Sequence, residues 1–120
     1  MYRYPAVSVA LLLFLNLVHG VEEKGNFSLV LGNCSLALAR DMVYHEHIHK
    51  NFVLLVERNA TSSWYGDQRI YCLKALNENK ESEGGIAFIK EGGIGHNFVT
   101  IEMHSKRGNK MDYDVQIYGK

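Results

Sequence analysis

Apolar and polar residues alternate with a period of two through most of the chain after residue 20, and helical periodicity is absent. Over 97–105, Val99, Ile101 and Met103 fall on one side of an extended segment, and Thr100, Glu102 and His104 fall on the other. Over 111–117, Met111, Tyr113, Val115 and Ile117 alternate with Asp112, Asp114 and Gln116. Both patterns predict half-buried strands, and the polar, glycine-containing 106–110 segment between them supplies a hairpin turn. Upstream, 27–31, 42–48, 52–57, 69–76 and 86–90 are further strand candidates. Gly32-Asn33, the polar run 59–63, Gly84-Gly85 and Gly92-Gly93-Ile94-Gly95 punctuate them. The 34–40 stretch reads either as strand or as a helical turn. Seven or eight short strands at regular spacing predict an all-β fold, a single small antiparallel β-sandwich or barrel.

The first 20 residues follow a different rule. Arg3 precedes an almost unbroken apolar run over 6–18, and Val18-His19-Gly20 places compact residues where a signal peptidase reads. This is the pattern of a secretory signal peptide over 1–20, which leaves an all-β domain over 21–120. Thirteen residues reach only about 20 Å as a helix, short of the roughly 30 Å hydrocarbon core, so no membrane anchor is expected after cleavage. Removing Arg3 turns the tie of 13 Lys+Arg against 13 Asp+Glu into 12 against 13. A slightly acidic chain lacks the electrostatic footprint of a nucleic-acid binder, and no nucleic acid is expected as a partner. The same sequence is too rich in Val, Ile, Leu and Tyr for disorder, and its single proline, Pro5, lies in the leader.

An oxidising compartment gives meaning to two further features. Asn26, Asn33 and Asn59 each begin an Asn-x-Ser/Thr acceptor at a pause in the apolar pattern, which predicts a glycoprotein. At Asn33 the glycan would compete with a bridge at Cys34. The mature cysteines number two, Cys34 and Cys72, and one intramolecular disulfide is the simplest pairing. Two free or intermolecular thiols are the alternative.

The sharpest chemical motif is Tyr44-His45-Glu46-His47-Ile48-His49, which contains H-E-x-x-H at His45, Glu46 and His49. In a zinc protease that spacing puts both histidines on one helix face beside the glutamate. Here the segment alternates as a strand, which sends Glu46 to the face opposite His45 and His49. Phe52 and Leu55 also stand where an extended zincin signature needs glycine and histidine. A milder possibility is a surface zinc or copper site made by His45, His47 and His49, which share one strand face; the competing reading is a solvated face on an edge strand. Five mature histidines, at 45, 47, 49, 96 and 104, would make the chain cationic in a mildly acidic fluid. Residues 92–97 resemble a phosphate loop only in glycine content, and a tight connection needing positive φ explains them better. Lys106-Arg107 ahead of the terminal Tyr118-Gly119-Lys120 admits a peptide-hormone precursor, against which stands the core-like alternation of 111–117. Ser62, Ser63 and Ser105 have no visible catalytic partners, so no enzyme is expected.

Several motifs together carry a resemblance. Asp67-Gln68-Arg69-Ile70, Leu73-Lys74-Ala75-Leu76-Asn77, Gly84-Gly85-Ile86-Ala87, Glu91-Gly92-Gly93-Ile94-Gly95, Val99-Thr100-Ile101, Ser105-Lys106-Arg107-Gly108 and Val115-Gln116-Ile117-Tyr118-Gly119-Lys120 resemble the insect multiprotein bridging factor type 2 family, whose members are also labelled probable salivary secreted peptides. Residues 26–32 and 40–44 look like the early strands of that family. The cysteine pair and the histidine cluster depart from its usual pattern. The resemblance implies two different functions. One is a small secreted non-enzymatic protein of saliva or haemolymph that binds an extracellular protein, glycan or small ligand. The other is a transcription coactivator bridging a nuclear receptor and the general transcription machinery. The leader, the acceptor sites and the paired cysteines favour a secreted, extracellular location, and a secreted metal-binding protein is the third reading. The family supplies no catalytic residue.

Overall fold

The computed structural model describes residues 25–120; the signal peptide expected over 1–20 lies outside the described residues. Seven strands follow in chain order: β1 (Leu29–Gly32), β2 (Met42–Lys50), β3 (Asn59–Tyr65), β4 (Ile70–Asn77), β5 (Ile86–Gly92), β6 (Phe98–His104) and β7 (Met111–Gly119). They form two antiparallel sheets, a four-stranded one in the order β1-β4-β7-β2 and a three-stranded one in the order β3-β6-β5. The pair is a sandwich with open edges and not a closed barrel, which decides between the two expected architectures.

The interior strands obey the alternation seen in the sequence. On β7, Met111, Tyr113, Val115 and Ile117 are buried, and on β6 so are Val99, Ile101 and Met103. β4 contributes Leu73 and Ala75, paired in register with Ile117 and Val115 of β7. An irregularity between Ile70 and Cys72 shifts the β4 register, so Ile70 also reaches the core despite lying three residues from Leu73. Among the described residues Tyr113 is the largest fully buried side chain, and its hydroxyl is satisfied: it donates to the Phe27 carbonyl at 2.7 Å and accepts from Asn77 Nδ2 at 3.1 Å. The close packing of this layer is the main source of stability, because each buried aliphatic side chain contributes roughly 1.5–3 kcal/mol relative to exposure.

Two expectations are corrected. The 52–57 segment is not a strand: it carries only an isolated Val53–Val56 bridge, closed by the Val56 N–H donating to the Val53 carbonyl at 3.0 Å. Its apolar composition imitates a buried strand, but the chain reverses there and Phe52, Val53, Leu54, Leu55 and Val56 are all exposed. The strand of that region is β3, within the polar run that reads as punctuation. It pairs with β6 without a register break from Asn59–His104 to Tyr65–Phe98 and turns Ala60, Ser62 and Trp64 inward. The ambiguous 34–40 stretch resolves into two short 3-10 turns, Cys34–Leu36 and Ala39–Asp41. The glycine-rich β5–β6 connection behaves as expected: Gly92, Gly93 and Gly95 all have positive φ, and a Cβ on Gly92 would collide with the Phe98 carbonyl.

The turns at one end of the sandwich are tied together by hydrogen bonds distant in sequence. The Ser105 N–H donates to the Arg58 carbonyl at 2.8 Å, and the Gly108 N–H to that of Val56 at 3.0 Å. Asn79 Nδ2 donates to the Lys110 carbonyl at 2.9 Å, and Asn109 Nδ2 to that of Glu83 at 2.7 Å. The β2–β3, β4–β5 and β6–β7 connections therefore form one braced loop end.

Candidate functional site

β2 is an edge strand, and its alternation places His45, His47 and His49 on the outer face while Ile48 points into the core. Register with β7 puts His45 opposite Gln116, His47 opposite Asp114 and His49 opposite Asp112. Each imidazole turns to a carboxylate. His45 Nε2 lies 2.7 Å from Asp114 Oδ1, and His47 Nε2 lies 3.0 Å from Asp112 Oδ1 without hydrogen-bond alignment. His49 Nδ1 is 3.7 Å from Asp112 Oδ2, with its Nε2 3.1 Å from Asn51 Oδ1. Among the described residues no group of three or more His, Cys, Asp or Glu side chains is placed to hold a metal ion. His45, His47 and His49 form a staggered ladder with the two aspartates along the exposed edge. Asp112 and Asp114 alternate outward on β7 in the sequence, but their pairing with the histidines depends on the β2–β7 register, which no local pattern encodes. The ladder also acts on Asp114. Burial pushes its carboxyl up, yet hydrogen bonds from Gln116 and His45 and the charges of His45 and His47 together bring it below its ordinary value.

Glu46 lies on the face opposite the histidines, as the strand pattern requires. Its Oε1 accepts from Ser62 Oγ at 2.7 Å and from the Tyr44 hydroxyl at 2.7 Å. Burial raises the Tyr44 hydroxyl above its ordinary pKa, with the hydrogen bond from Ser62 opposing and Glu46 adding to the rise. Ser62 is fully buried, so this polar trio satisfies a hydroxyl that the β3 edge of the core would otherwise leave unpaired. The H-E-x-x-H residues thus serve an inward polar contact and an outward ladder.

At the braced loop end an open cleft of about 530 Å³ is lined by Glu57, Ile86, Phe88, His104, Ser105 and Lys106, with Gly84 and Gly85 in its wall. Phe88 stacks on His104 with centroids 5.7 Å apart and planes 10° from parallel. His104 Nδ1 lies 2.9 Å from Glu57 Oε1, and its Nε2 faces Glu102 at 3.6 Å. Ser105 is buried, and its hydroxyl accepts the Arg58 N–H at 2.8 Å. Ser105, His104 and Glu57 share the cleft, with the Ser105 hydroxyl turned to the Arg58 backbone and the two imidazole nitrogens of His104 facing Glu57 and Glu102. An aromatic wall with a few polar groups suits binding. Sequence reasoning did not reach this cleft, since Gly84-Gly85 and Glu57 come together only through the packing of separate connections.

The remaining sequence-predicted positions are placed as follows. Cys34 and Cys72 form a disulfide that joins the first 3-10 turn to β4. Asn26 and Asn33 are exposed, and Asn26 exchanges backbone hydrogen bonds with Ala87. Asn59 is also exposed, though its amide lies against His104, Glu57 and the Arg58 carbonyl. The segment beyond Lys106-Arg107 is an interior strand of the larger sheet, so its release as a peptide would remove the centre of the core. Among the described residues no helix is long and apolar enough to cross a membrane.

A family model described as "Transcription activator MBF2" matches residues 38–119, from just before β2 to the end of β7. The chain belongs to the MBF2 family. The chain is also 36% identical over 59 residues to a Bombus ignitus protein described as "Probable salivary secreted peptide". That match covers 49% of this chain and 42% of the bumblebee protein, so the chain aligns with less than half the length of that curated relative. No solved structure matches the chain significantly. The family match begins after Cys34 and includes Cys72, so the bridge fastens a segment outside the matched range to an interior strand.

Proposed function

We propose that this MBF2-family chain is a small secreted insect protein of saliva or another extracellular fluid, and that it works without catalysis by binding through its braced loop end. The Cys34–Cys72 disulfide carries the reading, because such a bridge persists in oxidising compartments and is reduced in the cytosol and nucleus. The leader pattern over 1–20 and the acceptor sites at Asn26, Asn33 and Asn59 support the same route. So does the description of the bumblebee relative. Binding rather than chemistry is supported by the cleft, whose one hydroxyl is committed to the Arg58 backbone.

The family description favours a second reading, an intracellular transcription coactivator. The two are separated by expressing the full chain with a C-terminal tag in insect cells and fractionating the culture. Tagged protein in the medium, with mobility altered by a glycosidase, supports the secreted reading. Unglycosylated protein retained in the nucleus overturns it in favour of coactivation.

A further inference from the structure

The β2–β3 tip exposes Phe52, Val53, Leu54, Leu55 and Val56 in unbroken succession, at 65, 42, 76, 66 and 44%. Single exposed hydrophobic residues are ordinary, but a contiguous apolar patch marks an interaction surface. The tip is also held in shape. Arg107 Nε donates to the Leu55 carbonyl at 2.7 Å, Arg58 Nη1 to that of Asn51 at 3.1 Å, and the Gly108 N–H to that of Val56 at 3.0 Å. Leu55 has φ of 63°, in the left-handed region where glycine sits without strain, and it lies outside the packed core. The turn itself would be better served by glycine. A bulky apolar side chain held outward at such a position points to a role outside the fold.

The surroundings of the tip are basic. Lys106 and Arg107 are exposed beside it, and Arg58, Lys50 and Lys110 are half-buried on the flanking segments. Among the described residues, none of the ion pairs engages any of these five cations. Of the nearby carboxylates, Glu57 is taken by His104, and Glu83 accepts the Lys80 N–H. A protruding apolar tip needs a host that can close around it, and unpaired cations need anions at the depth of its base. A bilayer with acidic headgroups supplies both at once, whereas a protein partner would need a matching concave pocket ringed by carboxylates.

We propose that the 52–56 tip docks on an anionic phospholipid membrane, its side chains entering the headgroup–acyl boundary while Arg58, Lys106, Arg107 and Lys110 meet lipid phosphates. This rests on the loop end being the binding end and names the surface it binds. The two readings fail separately, because secretion is read in culture fractions and membrane docking on purified protein.

The test is co-sedimentation of the purified, disulfide-bonded secreted chain with vesicles of phosphatidylcholine alone or mixed with phosphatidylserine. The expected result is saturable binding to the mixed vesicles, at least about tenfold weaker to phosphatidylcholine and weakened severalfold by high salt. Leu54→Ser combined with Leu55→Gly should lower binding at least about tenfold. Near-UV circular dichroism should stay unchanged in this variant, since the glycine relieves the positive φ. Lys106→Gln, which leaves the tip's hydrogen bonds intact, should cost about fivefold. Absence of vesicle binding, equal binding to neutral and anionic vesicles, or a Leu54/Leu55 variant that folds and binds like the wild type would overturn the proposal. So would a tip-dependent dimer with no affinity for vesicles, which would assign the patch to a second copy of the chain.

Discussion

Removing the Cys34–Cys72 bridge should cost the fold a large share of its stability. The bridge closes a sequence separation of 38 residues, and in the chain-entropy model a loop of that size restricts the unfolded ensemble by about 4 kcal/mol. Its native surroundings indicate where the loss will be felt. Cys72 is fully buried in β4, opposite Gly32 of β1 and Tyr118 of β7, while Cys34 lies in the turn that covers it. β1 is a four-residue edge strand whose main apolar contribution is Leu29, and beyond it the turn that carries Cys34 is tied to β4 by the bridge and by the Asn33 N–H donating to the Tyr71 carbonyl at 2.8 Å. A domain of about 100 residues has roughly 5–15 kcal/mol in total. The double variant Cys34→Ala/Cys72→Ala should therefore lose about 4 kcal/mol, lowering Tm by about 15–30 °C. Urea unfolding followed by Trp64 fluorescence and by far-UV circular dichroism, with the oxidised wild type as reference, measures it. A loss below about 1 kcal/mol would refute the argument that the bridge acts by constraining the unfolded chain.

Three further outcomes follow from named groups. Tyr113 is pushed up to about 12 by burial, so ultraviolet difference titration should show it ionising after the exposed tyrosines; its contribution is present below about pH 10 and is lost as pH rises through 12, and Tyr113→Phe should cost about 1–3 kcal/mol by stranding the Phe27 carbonyl. The lowered pKa of Asp114 has the opposite sense: its stabilisation is present above the ordinary carboxylate range and disappears as pH falls through the lower folded value, so Asp114→Asn should flatten the acid limb of a stability–pH curve and cost about 1 kcal/mol or less at neutral pH. Gly92→Ala forces a Cβ into the Phe98 carbonyl at positive φ and should destabilise the β5–β6 hairpin by about 1–3 kcal/mol in chemical denaturation, whereas Gly95→Ala, with open space at that position, should cost less.

What the sequence disclosed and what it withheld have physical causes. β6, β7 and the turn between them were legible because an interior strand covered on one face alternates strictly, as Val99, Ile101 and Met103 do. The same alternation correctly separated Glu46 from His45 and His49. β3 was hidden because two of its three inward residues, Ala60 and Ser62, are small or polar, and Ser62 is tolerated through Glu46 and Tyr44 on another strand. The 52–56 tip misled in the opposite way, since hydrophobicity predicts burial only when something packs above it. The cleft and the histidine–aspartate ladder were not legible, because both depend on which strands and loops become neighbours, and that information is distributed over the whole chain.

The central claim, that the chain matures through the secretory pathway into a bridged extracellular protein, is tested most directly by mass spectrometry of the protein recovered from producing cells and their medium. The account predicts material in the medium that begins at Val21, carries glycans on at least one of Asn26, Asn33 and Asn59, and yields a Cys34–Cys72 cross-linked peptide before reduction. Cell-retained protein that still carries residues 1–20, with both thiols free and no glycan, would contradict it.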